Sequence, residues 1–454
     1  MPNNDTGTIS PDMLKQVLEI LRGHFSSEDI NINAESIVFL TDQRRRNVAL
    51  RIPLQSTSDL IPKSIILKQS KPEESDVDDC EAYSRFSRDW TGLEFANRIQ
   101  KDGAHNVPHF YGGDKTHRFI LLEDLGQKHI SLVDALTLPG HDKAAAALHR
   151  YIRALAGLHA ASFGHTNDYN IMLQNINEGA ATAQNDLAAD INYLLPKLES
   201  TCQTLGLSVT KEFIAEAQQV LQDMFEPGPF TVLIHGDAAP DNVFDHGESK
   251  ELQLIDFEWA FPRNALLDGV FLRMSIPTGW CAKETPNELI ESLDLIYRKE
   301  LAKTIPAASD DRAFFTAYTQ ACAYYALREM VHVVHILKED RSRGAPPSMP
   351  EGSLWDPETN LMRPRFLSRV QAFIDVATKH DLLPQTRQLA ENMLAEVKKL
   401  WPEDTKPLDV YPAFQPPVLG LGSAAVATGI FSEKKLKENP AADPNSAPAP
   451  FEKK

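Results

Sequence analysis

The sequence predicts an α+β chain in two lobes, a small β-rich one followed by a larger helical one, with a flexible C-terminal tail. Three observations carry this: extended apolar runs crowd the first part of the chain, long helical patterns dominate after Gly126, and the chain becomes rich in Pro, Ala, Lys and Glu after Trp401-Pro402. A chain of 454 residues also exceeds one ordinary core at roughly 150 residues per domain. The expected units are 1–126, 127–401 and a tail over 402–454.

In chain order, residues 12–22 place Met13, Val17, Leu18 and Leu21 on one helical face, with Gly23 as a stop. Ser36–Thr41, Asn47–Leu54 and Lys63–Gln69 read as strands of an antiparallel sheet. A helix follows over Asp79–Lys101, with Tyr83, Phe86, Trp90 and Leu93 on one side, and strands resume at Val107–Tyr111 and Arg118–Glu123. The second lobe reads as helices over Asp142–Ser162, Gln184–Thr204, Val209–Met224, Glu288–Thr304 and Asp310–Lys338. Embedded in it is a β-rich insert, Phe230–Ile234, Asn242–Phe244 and Leu252–Ile255.

Composition excludes several classes of function. The chain has 46 basic and 63 acidic residues, a net charge of −17, which repels nucleic acid and anionic membrane surfaces. Its four cysteines, Cys80, Cys202, Cys281 and Cys322, are too scattered for a zinc knuckle or a disulfide framework. A reducing cytoplasm is the expected compartment. The mildly apolar run Val418–Phe431 is broken by three glycines and falls short of the ~20 residues of a membrane span, so no span is expected.

The densest chemistry lies in HGDAAPDN, His235–Asn242, followed by LQLIDFEW, Leu252–Trp259. Asp237 follows an apolar strand and a glycine, which mounts its carboxylate on a loop at a strand end. Asp256 closes the next apolar strand, so a hairpin brings it near Asn242. Two protein oxygens, with phosphates and water completing the shell, suit Mg²⁺.

These residues resemble the catalytic loop of the aminoglycoside phosphotransferase and choline-kinase-like superfamily, whose members share the protein-kinase-like fold and phosphorylate small-molecule hydroxyls. The resemblance implies that Asp237 is the catalytic aspartate, that Asn242 and Asp256 hold magnesium, and that His235 and Gly236 shape the loop. It implies a lysine on the third strand and a glutamate on the next helix; Lys68 and Glu94 fit, with Glu81 as a rival. ILLEDLG, Ile120–Gly126, resembles the hinge on which the nucleotide base rests, which places Glu123 and Leu125 in the ATP or GTP site. LAGLHAASF, Leu155–Phe163, resembles the helix ahead of the catalytic loop, and Asp268 the aspartate that braces it.

Two departures matter. FLTDQRRRNVAL, Phe39–Leu50, lacks the glycines of a phosphate loop, and Arg44, Arg45 and Arg46 there read as a solvated turn. Phe257-Glu258 replaces the Phe-Gly of protein kinases, and only 11 residues separate Asp256 from Asp268, too few for a peptide-binding platform. The expected activity is phosphoryl transfer to a small-molecule hydroxyl; the alternative is a pseudokinase that binds nucleotide or scaffolds without turnover. His332 and His335, three apart, read as ordinary core or surface residues rather than metal ligands.

Overall fold

The computed structural model describes residues 9–41, 46–100, 106–126, 130–247, 252–342, 352–403 and 405–416. The chain opens with α1 (Pro11–Phe25), started by Ser10, whose side chain accepts from the Met13 amide. There follow β1 (Asn31–Ile32), β2 (Val38–Phe39), β3 (Asn47–Gln55), β4 (Ser64–Ser70), α2 (Asp76–Ile99), β5 (Phe110–Asp114) and β6 (Phe119–Glu123). The strands form one antiparallel sheet in the order β1-β3-β4-β6-β5, with β2 also on β3. Strand alternation sends Ile65 and Leu67 of β4 into a small core with Val48, Leu50 and Ile52 of β3 and Met13, Val17 and Leu21 of α1. Burying each such side chain stabilises by roughly 1.5–3 kcal/mol. A one-residue slip would turn that whole set outward, so Lys68, directly after Leu67, is fixed on the opposite, cleft-facing side.

The larger lobe contains β7 (Ile130–Ser131), α3 (Leu132–Thr137), α4 (His141–Ser162), α5 (Thr166–Ile176), α6 (Ala183–Thr204) and α7 (Lys211–Phe225). The insert supplies β8 (Thr231–Ile234), β9 (Val243–Asp245), β10 (Gln253–Leu254) and β11 (Phe261–Asn264). Then come α8 (Leu266–Gly269), α9 (Asn287–Leu301), α10 (Asp311–Met330), α11 (Val333–Lys338), α12 (Met362–His380) and α13 (Pro384–Leu400). Pairing of β11 with β8 and of β10 with β9 carries the two ends of the catalytic motif to one place. This is the two-lobed kinase-like architecture that the motifs imply.

Some expectations need correction. The strand Ser36–Thr41 shrinks to Val38–Phe39, because Asn33 caps a short 3₁₀ turn over Ala34–Ser36. The helix Asp310–Lys338 breaks between Met330 and Val333. The tail does not begin at 402: Leu408, Tyr411 and Ala413 are buried, the Tyr411 amide donates to Glu284 O at 3.0 Å, and its hydroxyl donates to Cys281 O at 2.6 Å. A few isolated apolar side chains on a Pro-rich strand suffice when a preformed surface receives them. The rest of the expected tail, including Val418–Phe431, lies outside the described residues. Among the described residues no helix is long and apolar enough to cross a membrane.

Candidate active site

Lys68 anchors the small-lobe side of the cleft. Its Nζ lies 2.5 Å from Asp256 Oδ1 and 2.7 Å from Asp89 Oδ2. Burial alone would lower its pKa, but Asp256 and Asp89 outweigh that and hold it well above the usual lysine value. Asp89 also accepts the Phe257 amide at 2.8 Å, so one carboxylate of α2 fixes both the lysine and the segment after Asp256.

The helix partner of Lys68 is therefore Asp89, which corrects the assignment to Glu94. Glu94 accepts from Trp90 Nε1 at 2.8 Å and pairs with Arg98. Five residues of α-helix turn the direction by roughly 140°, so the two acids cannot face one lysine. Glu81 pairs with Arg85 at 2.8 Å. A signal for Asp89 was available: it lies three residues after Phe86 and four before Leu93, on the buried face of α2, where an acid needs a partner.

Behind β8 the catalytic loop is held by its backbone. Gly236 has φ +77°, and a Cβ there would meet the Trp259 carbonyl oxygen at 2.3 Å, so only glycine fits. Asp268, fully buried, accepts the amides of His235 at 2.6 Å and Gly236 at 3.1 Å. His159 Nε2 reaches the same carboxylate at 3.2 Å, while its Nδ1 meets the Tyr297 hydroxyl at 2.7 Å. His235 Nδ1 accepts the Asp237 amide at 3.3 Å, so Nε2 carries the proton and donates to Ile255 O at 2.8 Å. Burial keeps that imidazole neutral by lowering its pKa.

Asp237 emerges from this scaffold half-buried. Asn242 Nδ2 donates to its carbonyl oxygen at 2.9 Å and to Oδ2 at 3.2 Å, and the Thr278 hydroxyl donates to Oδ1. Burial pushes the Asp237 carboxyl up to about 7; the Thr278 bond opposes this, and the charges of Asp241, Asp256 and Glu258 add to it. Thr278 had no signal in the sequence, since it lies 41 positions away in a stretch without a pattern.

Asp256 adopts φ +68°, a left-handed conformation that Asp tolerates better than most residues. The preceding amide, of Ile255, donates to Asn242 O at 3.0 Å, which sets Asn242 beside Asp256. Gly92 of α2 lets Phe257 pack closely: a Cβ there would lie 2.8 Å from that of Phe257. Burial would raise the Asp256 pKa, but Lys68 more than offsets it and keeps the group ionised. Asn242 spends its amide nitrogen on Asp237, which turns its carbonyl oxygen to other use. Together with Asp256 it offers the hard oxygen donors that a Mg²⁺ ion takes when phosphates and water complete its shell. Among the described residues no three His, Cys, Asp or Glu side chains cluster as a self-sufficient metal cage.

Arg46 is no solvated turn residue. It lies 3.7 Å from Glu258, which also accepts from Asn47 Nδ2 at 3.1 Å, so the hairpin before β3 is tied to the segment after Asp256. Residues 42–45, with Arg44 and Arg45, lie outside the described part. At the other end of the cleft Glu123 closes β6, its amide donating to His109 O at 2.8 Å. Asp124 is clamped by Arg51 at 2.6 and 3.0 Å and by Ser64 at 2.6 Å, which fixes the connector bearing half-buried Leu125.

The fold and this cleft define a small-molecule-kinase-like protein. The sequence profile of the ecdysteroid kinase-like family matches residues 80–306, half of the 454-residue chain, and the protein belongs to that family. Similar solved structures include an aminoglycoside 2′-phosphotransferase-IIIa bound to GDP, at 13% identity, covering 82% of this chain and 99% of that one with a TM-score of 0.40. An ethanolamine kinase of Plasmodium vivax matches at 13% identity over 81% of this chain and 91% of its own, TM-score 0.40. A choline kinase of Cryptosporidium parvum matches at 10% identity over 85% of this chain and 99% of its own, TM-score 0.40. A search of curated protein sequences gives no match.

Proposed function

We propose that this protein transfers the γ-phosphoryl group of ATP or GTP to a hydroxyl of a small molecule. The observation that carries the reading is the convergence of Lys68 and Asp89 from the small lobe with Asp256, Asn242 and Asp237 from the insert on one cleft. In this reading Asp237 orients the acceptor hydroxyl and takes its proton as the new P–O bond forms and the bond from the γ-phosphorus to the β,γ-bridging oxygen breaks, releasing the nucleoside diphosphate. Lys68, held by Asp89, presents a fixed ammonium to the nucleotide phosphates. Asn242 and Asp256 hold Mg²⁺, which when bound neutralises phosphate charge. Glu123 and Leu125 form the connector against which the base lies, and His235, Gly236 and Asp268 keep the loop in shape. With little covalent work for the protein to do, positioning and charge supply most of the acceleration.

The family's name points to steroid alcohols as the first acceptors to try. A nucleotide-consumption screen of the full chain with Mg²⁺ and ATP or GTP, over ecdysteroids, choline, ethanolamine and aminoglycosides, tests the reading. Acceptor-dependent nucleoside diphosphate release, abolished in Asp237→Asn, is the expected result. Release that is equal in Asp237→Asn and the parent contradicts it.

A further inference from the structure

Asp237 receives one hydrogen bond on each carboxylate oxygen, from Asn242 on Oδ2 and from Thr278 on Oδ1. The terminal torsion of an aspartate is broad and roughly two-fold, so a carboxylate held from one side only can swing. Two donors, one per oxygen, fix its plane. Asn242 comes from the same loop, five residues on, whereas Thr278 comes from a stretch beyond α8 that has to be held in place by something else.

What holds it is a pair of arginines on successive turns of α12. Arg369, 2% exposed, donates from Nε to Met274 O at 3.1 Å and from Nη2 to Ser275 O at 3.2 Å and Ile276 O at 2.9 Å, its charge matched by Glu329. Arg365, also 2% exposed, donates to Gly279 O at 3.1 Å and Trp280 O at 2.6 Å. The two guanidinium groups thus grip the backbone immediately before and after Thr278. Between them Ser275 and Ile276 both sit at positive φ, +52° and +49°, which a β-branched isoleucine adopts only when its surroundings impose it. Trp280 adds a third tie, donating from Nε1 to Asp241 Oδ2 at 2.9 Å on the catalytic loop itself. Buried guanidinium groups are costly unless well bonded, and here most of their donors go to carbonyls of this one segment, with Glu329 taking Arg369 Nη1 and Asn360 taking Arg365 Nε. An apolar filling would pack the same space without fixing the backbone.

We infer that Thr278 is a positioning residue for phosphoryl transfer, holding the Asp237 carboxylate in the orientation that receives the acceptor proton, and that Arg365 and Arg369 exist to place it. This rests on the function proposed above. Thr278→Val keeps the shape of the side chain and removes the donor, and Thr278→Ser keeps the donor. With MgATP as the probe and ADP release as the readout, Thr278→Val should lower kcat about 10- to 100-fold, the scale on which misplaced catalytic groups cost rate. It should leave the KM for ATP within about twofold, because the hydroxyl donates to Asp237, the group assigned to the acceptor and not to the nucleotide, and Thr278→Ser should recover most of the rate. Asp237→Asn, run in parallel, marks the rate that depends on Asp237. A Thr278→Val protein as fast as the parent while Asp237→Asn is silent overturns the inference and leaves the proposed function standing. So does a Thr278→Ser protein as slow as Thr278→Val, or a change in KM alone.

Discussion

Two groups of acids in this molecule, one on the small lobe and one more deeply buried in the cleft, behave in opposite ways. On the small lobe, Asp79 meets Arg118 at 2.5 and 2.8 Å and Asp124 meets Arg51 and Ser64, each carboxylate with its own guanidinium. Arg118 and the Glu73 amide hold Asp79 down to about 2. Burial acts to raise Asp124, yet Arg51 and Ser64 keep it below the usual range. In the cleft, Asp89 and Asp256 share Lys68, Glu258 lies by Arg46 and Asp237 is bonded by neutral Asn242 and Thr278, and burial pushes Asp89, Asp237 and Glu258 upward. The first group is complete as it stands and reads as architecture. The second has more carboxylates than cations, the pattern expected where bound positive charge belongs to the working state.

The sharpest way to break that contrast is Asp237→Asn. Turnover should fall by roughly 10²- to 10⁴-fold, in line with general-base contributions. Thermal unfolding should show no loss of stability, since the substitution removes a carboxylate from a cluster that already repels it. The sign with pH follows from the raised pKa. The folded protein binds this proton more tightly than the unfolded chain does, so ionising Asp237 weakens the fold as pH rises from ~4, the ordinary carboxylate value, through about 7. Over that window the stability of Asp237→Asn, measured by denaturant titration, should gain on the parent, and a constant difference would contradict the assignment.

A smaller effect separates the two acids of α2. Asp89→Asn should weaken Mg-nucleotide binding by about tenfold, because Lys68 loses one of its two partners, while Glu94→Gln should change it less than twofold. Isothermal titration of both variants measures this; the reverse order would restore Glu94 as the partner. Smallest is the architectural pair: Arg118→Ala should leave kcat unchanged and lower Tm by a few degrees, about 1 kcal/mol. Its stabilising contribution should be present above the ordinary carboxylate pKa and fade as pH falls toward about 2, the opposite sense to Asp237.

The parts of this arrangement legible in the sequence are those whose chemistry is local. Asp237, Asn242 and Asp256 sit within 20 positions of each other beside the ends of short apolar strands, and Lys68 lies on a strand whose apolar parity fixes its face. The spacing of Asp89 from Phe86 and Leu93 carries a signal, but a weak one: α2 is buried on several sides, so its polar and apolar residues do not sort into clean faces. Thr278, Arg365 and Arg369 were illegible for a different reason. The Thr278 bond to Asp237 spans 41 positions, and those of the two arginines run mostly to backbone carbonyls about 90 residues away, where a backbone acceptor leaves no trace in residue identity. The docking of residues 405–416 escaped because composition measures how much apolar surface a segment has, not whether a pocket waits for it.

The central claim is that Asp256 and its neighbours hold a divalent cation and nucleotide opposite Lys68. Calorimetric titration of the full chain with ATP, in Mg²⁺ and in EDTA, compared with Asp256→Asn, addresses it most directly. The account predicts binding that requires Mg²⁺ in the parent and falls at least about tenfold in Asp256→Asn, the loss of one charged ligand. Equal affinity with and without Mg²⁺, or in the two proteins, would contradict it.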